Sequence, residues 1–215
     1  MEMTMTSQTA PSARFWDRIA KSYARKPVGD ETAYQRKLAI TQEYLRPDME
    51  LLELGCGTGS TALVHAPFVQ RIHATDISEN MLEIAREKAA AQGVRNVDFE
   101  RASVEDFNAA DGTYDMVLAL SLLHLLEDEQ AAIAKVHRLL KPDGLFVTST
   151  VCLGGRMWWL RLIAPLGRAL GQMPLVRFFT EEDLVEKLRA GGFEIERRWR
   201  PEKSIGVFIV ARKAG

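Results

Sequence analysis

The sequence lacks the features that several broad classes of protein require. Cysteine occurs only twice in 215 residues, at Cys56 and Cys152, so the chain has neither the paired cysteines of a disulfide framework nor the spacing of a metal-binding knuckle. No apolar stretch approaches the roughly 18 residues of a membrane-spanning helix. The N-terminus has no basic segment followed by an apolar run, as a signal peptide would. These absences predict a cytoplasmic protein in a reducing compartment.

An excess of charge of one sign is also missing. The 28 Lys and Arg residues are balanced by 29 Asp and Glu residues, which gives a net charge of −1. Because affinity for nucleic acid depends on clustered positive charge, we expect no nucleic-acid partner. The apolar and charged fractions, 47% and 27%, are ordinary for a globular protein. The length suits one domain, which we place over residues 13–215, after a disordered tail of small polar residues over 1–12.

The middle of the chain alternates predicted strands and helices, which predicts an α/β fold with a parallel sheet covered on both faces. The predicted strands are Glu50–Leu54, Arg71–Thr75, Val97–Glu100, Tyr114–Leu120 and Leu145–Val151. The predicted helices are Ser60–Phe68, Glu79–Gln92 and Glu127–Leu140. Ligands of such sheets bind at the carboxyl ends of the strands.

The two ends of the domain follow other patterns. Residues 13–46 predict two helices, the second with Asp30 as its N-cap, that form an N-terminal cap over the domain. At the other end, a helix that begins after Thr180 precedes two strands, Phe193–Arg200 and Ile205–Arg212, joined by only four residues. So short a connection predicts an antiparallel hairpin.

The segment 152–179 contains no acidic residue, and it carries Arg156 and the adjacent pair Trp158 and Trp159. It follows the fifth strand, above the edge of the sheet where a ligand is expected. We interpret it as a helical lid over an apolar or acidic small molecule. Two alternatives stay open: a helical cap that only packs on the domain, and a segment that contacts an anionic membrane surface.

A glycine loop organises the chain. The apolar run Leu51–Leu54 stops at Gly55, Gly57 and Gly59, and a helix follows. A strand that leads into a glycine loop and then a helix is typical of nucleotide-like ligands, because glycine permits close approach of the backbone. A dinucleotide site would require Gly-x-Gly-x-x-Gly and further parallel units. The observed spacing and the predicted hairpin both disfavour that alternative.

Several motifs together resemble the class I S-adenosylmethionine-dependent methyltransferases. They are Glu53–Gly59, Ala74–Ser78 at the second strand end, Tyr114–Val117, Ser121–His124, and Leu139–Gly144 before the fifth strand. The resemblance covers most of residues 50–150. It implies a Rossmann-like three-layer sandwich with a seven-stranded, mostly parallel sheet whose last strand is antiparallel. It also implies that the chain binds S-adenosyl-L-methionine and forms S-adenosyl-L-homocysteine as product.

The resemblance also implies roles for single residues around the cofactor. The glycines, with Cys56 as a small residue in a tight loop, would pass beneath its methionine part. Glu53 would lie near the ammonium group or orient the loop; alternatively, it only accepts hydrogen bonds from loop N–H groups. Asp76 would accept both ribose hydroxyls, unless it is a plain helix-entry residue. The remaining residues expected at the cofactor are Ile77 and Met81, Ser103 and Val104 at the adenine, Leu120 and Ser121 near the sulfonium, and Tyr23 and Lys37 at the methionine end. For Tyr23 and Lys37 the alternative is a helix that packs only its own core.

His124 is the candidate catalytic base, because it follows the fourth strand where a methyl acceptor would lie; alternatively, it only packs or caps. Base-methylating enzymes are disfavoured, since no Asn/Asp-Pro-Pro-aromatic motif follows the fourth strand. Quinone O-methyltransferases of this type can carry a Glu-x-x-Glu-His cluster, which is absent from Ser121–Leu125, so we expect no metal. The expected partner is a small-molecule methyl acceptor. A lipid or quinone at a membrane surface, a non-catalytic binding module and an NAD-dependent oxidoreductase remain alternatives.

Overall fold

The computed structural model describes residues 10–152, 175–201 and 205–215. Two helices, α1 (Ala10–Arg25) and α2 (Glu31–Gln42), precede the sheet. The predicted N-cap of α2 is confirmed, since the Asp30 carboxylate accepts a hydrogen bond from the Ala33 N–H at 2.9 Å. Helix α1 includes Ala10 to Ser12, the last three residues of the predicted N-terminal tail. The rest of the predicted tail lies outside the described residues.

Seven strands form one sheet, and helices cover it. The strands are β1 (Glu50–Leu54), β2 (Arg71–Asp76), β3 (Val97–Arg101), β4 (Tyr114–Leu120), β5 (Leu140–Val151), β6 (Phe193–Trp199) and β7 (Gly206–Lys213). The further helices are α3 (Ser60–His65, continued by a 3-10 turn at Ala66–Phe68), α4 (Glu79–Gln92), a 3-10 turn at Leu123–Leu125, α5 (Glu129–Leu139) and α6 (Glu181–Ala190).

The strand order is β3-β2-β1-β4-β5-β7-β6. Strands β1 to β5 pair in parallel, whereas β7 is antiparallel to both β5 and β6. The predicted seven-stranded sheet with an antiparallel last strand is therefore confirmed. Strand β5 begins five residues earlier than predicted, because Leu140 already pairs with Tyr114 ahead of a register shift.

The two faces of the sheet are apolar, as buried parallel strands require. Successive residues of a strand point to opposite faces, and Leu51 and Leu52 accordingly belong to different clusters. One cluster includes residues of α5 and α6, such as Val136 and Leu188. The other includes residues of α3 and α4, such as Leu82. Helix, sheet and helix thus form three layers. Because β1, β2, β3 and β4 are parallel, their carboxyl ends lie together at one edge of the sheet, where ligands of such folds bind.

Specific polar contacts fasten helices beside this edge. The Ser78 hydroxyl accepts a hydrogen bond from the Met81 N–H at the start of α4, as predicted. The same hydroxyl donates to Asp17 Oδ1 at 2.6 Å, and Asp17 also accepts from the Asn80 N–H. This contact holds α1 against the first turn of α4 and so fixes α1 above the carboxyl end of β2. No helix in the described ranges is both long enough and apolar enough to cross a membrane.

Candidate cofactor site

The glycine loop after β1 adopts a backbone that only glycine adopts readily. Gly55, Gly57 and Gly59 have φ angles of +67°, +54° and +72°. A Cβ atom on Gly59 would lie 2.8 Å from the Ala85 Cβ of α4, so this glycine lets the loop pack against the helix. A Cβ on Gly57 would meet nothing within 4 Å. Gly57 therefore faces open space, and that space belongs to a cavity.

Asp76 links the loop to the next strand. Its Oδ2 accepts a hydrogen bond from the Gly57 N–H at 2.8 Å, and its Oδ1 accepts one from the Ser78 N–H at 2.9 Å. Burial raises the pKa of this carboxyl, although these hydrogen bonds oppose the rise. Each carboxylate oxygen has a second lone pair, and Asp76 lines the cavity. Ile77 also hydrogen-bonds to this carboxylate through its backbone N–H. The side chain is therefore fixed in orientation, and it faces the cavity, where a ligand hydroxyl group could donate to it.

Two cavities meet above this edge. They share Tyr23, Gly55, Gly57, Leu120 and Ser121. The walls of the first cavity are largely apolar beyond the shared residues, and they include Trp16, Ile77, Met81, Ala102, Val104, Leu122, Leu125, Leu126 and Leu175. The walls of the second cavity are mixed, and their polar side chains include Tyr34, Lys37, Glu53, Thr58, Ser60, Thr61, His65, Lys88 and Ser149. The joined space suits a ligand with one apolar end and one charged end.

Glu53 is the most unusual group in the second cavity. The side chain is buried, and Oε2 has no hydrogen-bond partner among the described residues. Burial is the main cause that raises the pKa of this carboxyl to about 8; the nearby Asp76 raises it further, while the Ala62 N–H opposes the rise. An unpartnered buried carboxylate is costly. A ligand ammonium group would supply the missing partner.

Lys37 lines the same cavity. Its Nζ donates a hydrogen bond to Ser149 Oγ at 2.9 Å. Burial lowers the pKa of the ammonium, and Asp30 opposes this change. Lys37 and Glu53 lie in the wall of the same cavity, which also contains Lys26, Asp30 and Lys88. An ammonium group and a carboxyl group are the partners that an amino acid's carboxylate and ammonium would contact. Tyr23 stands at the junction, 49% exposed, so the structure brings both predicted residues of the N-terminal helices to the site.

Ser121 marks the junction of the two cavities. It is one of two non-glycine residues with a positive φ, +60°, within the described part of the chain. The Ser121 N–H donates to the Ser149 carbonyl at 2.7 Å, which holds this conformation. Strained backbone of this kind often marks a functional position. The sequence placed Ser121 at the cofactor, but it gave no indication of this backbone conformation.

The turn after β3 differs from the prediction in one residue. Val104 lines the first cavity together with Ala102 and Glu105. Ser103 does not: its hydroxyl donates to Asp106 Oδ2 at 2.9 Å and accepts from the Asp106 N–H at 3.0 Å. The predicted contact between the Ser103 side chain and adenine therefore lacks support in this geometry, because the hydroxyl is already used within the turn.

The candidate base, His124, also lies apart from the cavities. It belongs to the 3-10 turn after β4 and is buried, with Nδ1 unpartnered among the described residues. Burial lowers its pKa to about 4, so the imidazole is neutral at pH 7. Its backbone carbonyl accepts a hydrogen bond from the Arg177 N–H at 2.7 Å. The described walls of both cavities exclude His124, which supports the packing alternative over the catalytic one.

Cys56 lines the second cavity, and burial raises the pKa of its thiol. His65 was missed by the sequence reasoning: it is fully buried in the wall of that cavity, and neither ring nitrogen has a partner in the described structure. The predicted lid residues Arg156, Trp158 and Trp159 lie outside the described residues. Within the described ranges, no group of three or more His, Cys, Asp or Glu side chains is arranged to hold a metal ion.

Comparisons with known proteins identify the family profile and the relatives that this chain resembles. Residues 51–144 match the family profile described as "Methyltransferase domain". The uncharacterized methyltransferase YcgJ of Bacillus subtilis is 33% identical over 110 residues, which span 51% of this chain and 44% of that protein. The ubiquinone biosynthesis O-methyltransferase of Thiobacillus denitrificans is 29% identical over 190 residues, or 85% of this chain and 79% of that protein.

Solved structures share the fold. The crystal structure of YcgJ from Bacillus subtilis has a TM-score of 0.70 at 18% identity, over 84% of this chain and 99% of that one. The [4+2]-cyclase SpnF has a TM-score of 0.76 at 20% identity, over 100% of this chain and 98% of that one. At such low identity these likenesses concern architecture, and one of the two proteins is named for a reaction other than methyl transfer. The shared fold therefore does not establish the reaction that this chain catalyses, which depends on the residues of its cofactor site.

Proposed function

We propose that this chain, which carries a class I S-adenosylmethionine-dependent methyltransferase domain, transfers a methyl group to a small, apolar or acidic molecule. The observation that carries the proposal is the order of groups along the joined cavities. Asp76 lines the largely apolar first cavity, Glu53 and Lys37 line the second, and the residues that the two cavities share join them. S-adenosylmethionine has an aromatic base, a ribose diol and a zwitterionic amino acid end in that same order.

The residues present fit this cofactor. The ribose diol would donate hydrogen bonds to the carboxylate of Asp76, which the N–H groups of Gly57 and Ser78 orient. The ammonium matches the unpartnered Oε2 of Glu53, and the carboxylate matches Lys37. The open space above Gly57 is where the ligand would pass. When bound, the cofactor supplies a methyl group that its sulfonium has already activated.

The chain's own contribution would be alignment and exclusion of water. Methyl transfer is an in-line displacement, so holding donor and acceptor in contact can account for much of the rate acceleration. Leu120 and Ser121 stand at the junction of the cavities, where donor and acceptor would meet. Leu122, Leu125 and Leu175 add apolar surface on the first-cavity side, which would exclude water and favour an apolar acceptor.

The acceptor class is supported by one relative and by the chain's composition. The Thiobacillus relative, aligned over 85% of this chain, is named for ubiquinone biosynthesis, which favours an aromatic or apolar acceptor. The balanced charge gives no support for a nucleic-acid substrate. The segment 152–179, with Trp158 and Trp159 and no acidic residue, would close over such an acceptor or contact a membrane surface while doing so.

Calorimetric titration with S-adenosylhomocysteine tests cofactor binding, with NADH as the competing ligand and Asp76→Ala as the control. We expect one-site binding of S-adenosylhomocysteine, no heat from NADH, and loss of binding in the variant. Binding of NADH alone would favour the oxidoreductase alternative.

Transfer itself is tested by incubating the protein with methyl-labelled S-adenosylmethionine and a metabolite extract. The expected label appears in small molecules that partition into organic solvent. Cofactor binding without transferred label in any fraction would favour a non-catalytic binding module.

A further inference from the structure

Lys135 of α5 makes three hydrogen bonds to one turn of the chain. Helix α5 covers the face of the sheet opposite to the face that α3 and α4 cover. The Lys135 Nζ, projecting from α5, donates to the backbone carbonyls of Val104 at 2.9 Å, Glu105 at 2.6 Å and Phe107 at 2.9 Å. An ammonium group has three protons and no acceptor. All three are therefore directed to one turn, the turn that follows β3.

That turn needs an external partner for its carbonyls. It is closed by the Phe107 N–H donating to the Ser103 carbonyl at 2.9 Å, and by the mutual hydrogen bonds of Ser103 and Asp106. The carbonyls of Val104, Glu105 and Phe107 all accept from Lys135, and the contacts at Val104 and Phe107 are partly buried, where an unpaired carbonyl is costly. Lys135 satisfies all three and so determines where the turn lies.

The turn forms part of the first cavity, through Val104 and Glu105. Asp76 suits the ribose, and the second cavity suits the amino acid end, so the base has to extend into the first cavity. There it would lie between Ile77 and the turn. Backbone N–H groups and side chains of this turn are then the groups that can distinguish one purine from another.

We infer that Lys135 is a positioning residue for recognition of the cofactor's base: it fixes the turn of residues 103–107, and that turn selects adenine. The inference rests on the proposed function. Selection of the nucleobase would then depend on α5, which carries Lys135. Binding of the amino acid end would depend on other residues, in the second cavity.

A second lysine provides a matched control. Lys88 on α4 donates from Nζ to the Thr58 carbonyl at 3.2 Å, to Thr58 Oγ1 at 2.9 Å and to Ser60 Oγ at 3.1 Å. It is half-buried like Lys135 and also has three neutral acceptors, but it holds the glycine loop at the amino acid end. Replacing Lys135 should therefore disturb only the base end of the site, and replacing Lys88 should disturb only the amino acid end.

The test compares two ligands in three proteins. S-adenosylhomocysteine and S-inosylhomocysteine differ only at the base, where the amino group of adenine is replaced by a carbonyl and the ring nitrogen N1 carries a proton. The wild-type protein should bind the adenosyl compound at least about tenfold more tightly, since a mismatched hydrogen-bonding edge leaves polar groups unpaired. Lys135→Met should bring this ratio close to one. Lys88→Met should weaken both ligands alike and keep the wild-type ratio.

Several outcomes would overturn the inference. A wild-type ratio in Lys135→Met, with a lowered unfolding temperature, would mean that the lysine only stabilises the fold. Equal binding of both ligands by the wild-type protein would mean that the turn does not select the base. Failure of the wild-type protein to bind S-adenosylhomocysteine at all would instead overturn the proposed function on which the inference rests.

If Lys135→Met does not fold, Lys135→Arg carries the test. A guanidinium keeps the charge and several N–H donors, but its planar arrangement cannot reproduce three hydrogen bonds from one nitrogen atom. We expect this variant to unfold within a few degrees of the wild type and to show a reduced preference for the adenosyl ligand. An unchanged preference in this folded variant would count against Lys135 as the residue that positions the turn.

Discussion

Replacing Glu53 by glutamine should uncouple cofactor binding from proton release. In the free protein the carboxyl is buried and its pKa is about 8, so most of the molecules hold it protonated at pH 7. A ligand ammonium group beside Oε2 favours the ionised form. Binding at pH 7 should therefore release most of one proton per site.

Calorimetry in buffers with different ionisation enthalpies measures this number directly. The observed binding enthalpy of S-adenosylhomocysteine, plotted against buffer ionisation enthalpy at pH 7, should have a slope close to one proton released. Glu53→Gln keeps the shape of the side chain and the hydrogen bond from Ala62, but it cannot ionise, so its slope should be near zero. A slope near zero in the wild type would refute the proposed contact with the ammonium. An unchanged slope in Glu53→Gln would assign the proton to another group.

The same residue should affect stability, with a definite sign. The folded pKa, about 8, lies above the ordinary value of 4.5, so the folded chain holds this proton more tightly than the unfolded chain. Stability from this group is therefore greatest at low pH and declines as pH rises from about 4.5 to about 8. The unfolding temperature of the ligand-free protein should fall between pH 6 and pH 9, and it should fall less in Glu53→Gln.

Variants at three other places test further parts of the account of the site, and one of them has a control variant. Gly57→Ala has a control in Gly93→Ala, at the glycine that follows α4. Both variants place alanine at a positive φ without a clash, which costs about 1–2 kcal/mol of stability each, so both should lower the unfolding temperature similarly. Only Gly57→Ala should abolish binding of S-adenosylhomocysteine, and equal binding by the two variants would contradict the assignment of the site. Asp17→Ala removes the contact between α1 and the start of α4. We expect faster hydrogen exchange of the amides in α1 and about tenfold weaker binding of S-adenosylhomocysteine. Unchanged exchange would show that other contacts hold α1 in place. Trp158→Ala should weaken use of the acceptor more than binding of the cofactor, and equal loss of both would count against the lid.

The sequence predicted those features that depend on local patterns. Apolar runs located the strands of the sheet, and the N-caps at Asp30 and Ser78 located helix starts, because a cap needs only a side-chain oxygen near the next turn. The glycine loop and Asp76 were predicted because their spacing is set by the strand ends they follow. The start of α1 was missed, since Ala10 to Ser12 carry no apolar periodicity.

The sequence could not predict contacts that depend on how distant elements pack. Ser103 and Asp106 form a closed pair only because the turn after β3 folds back on itself, which residue types alone do not specify. His124 was expected at the site because it follows β4, but the 3-10 turn places it in the protein interior. Lys135 is about 30 positions from the turn it holds, and a half-buried lysine on a helix gives no sequence signal of such a contact.

The most direct test of the central claim is a crystal structure of the protein with S-adenosylhomocysteine. We expect electron density for the ligand through both cavities, with the ribose hydroxyls on Asp76, the ammonium at Glu53 and the base against the turn at Val104. Density at another place, or the reverse orientation with the base beside Glu53, would contradict the assignment of the site.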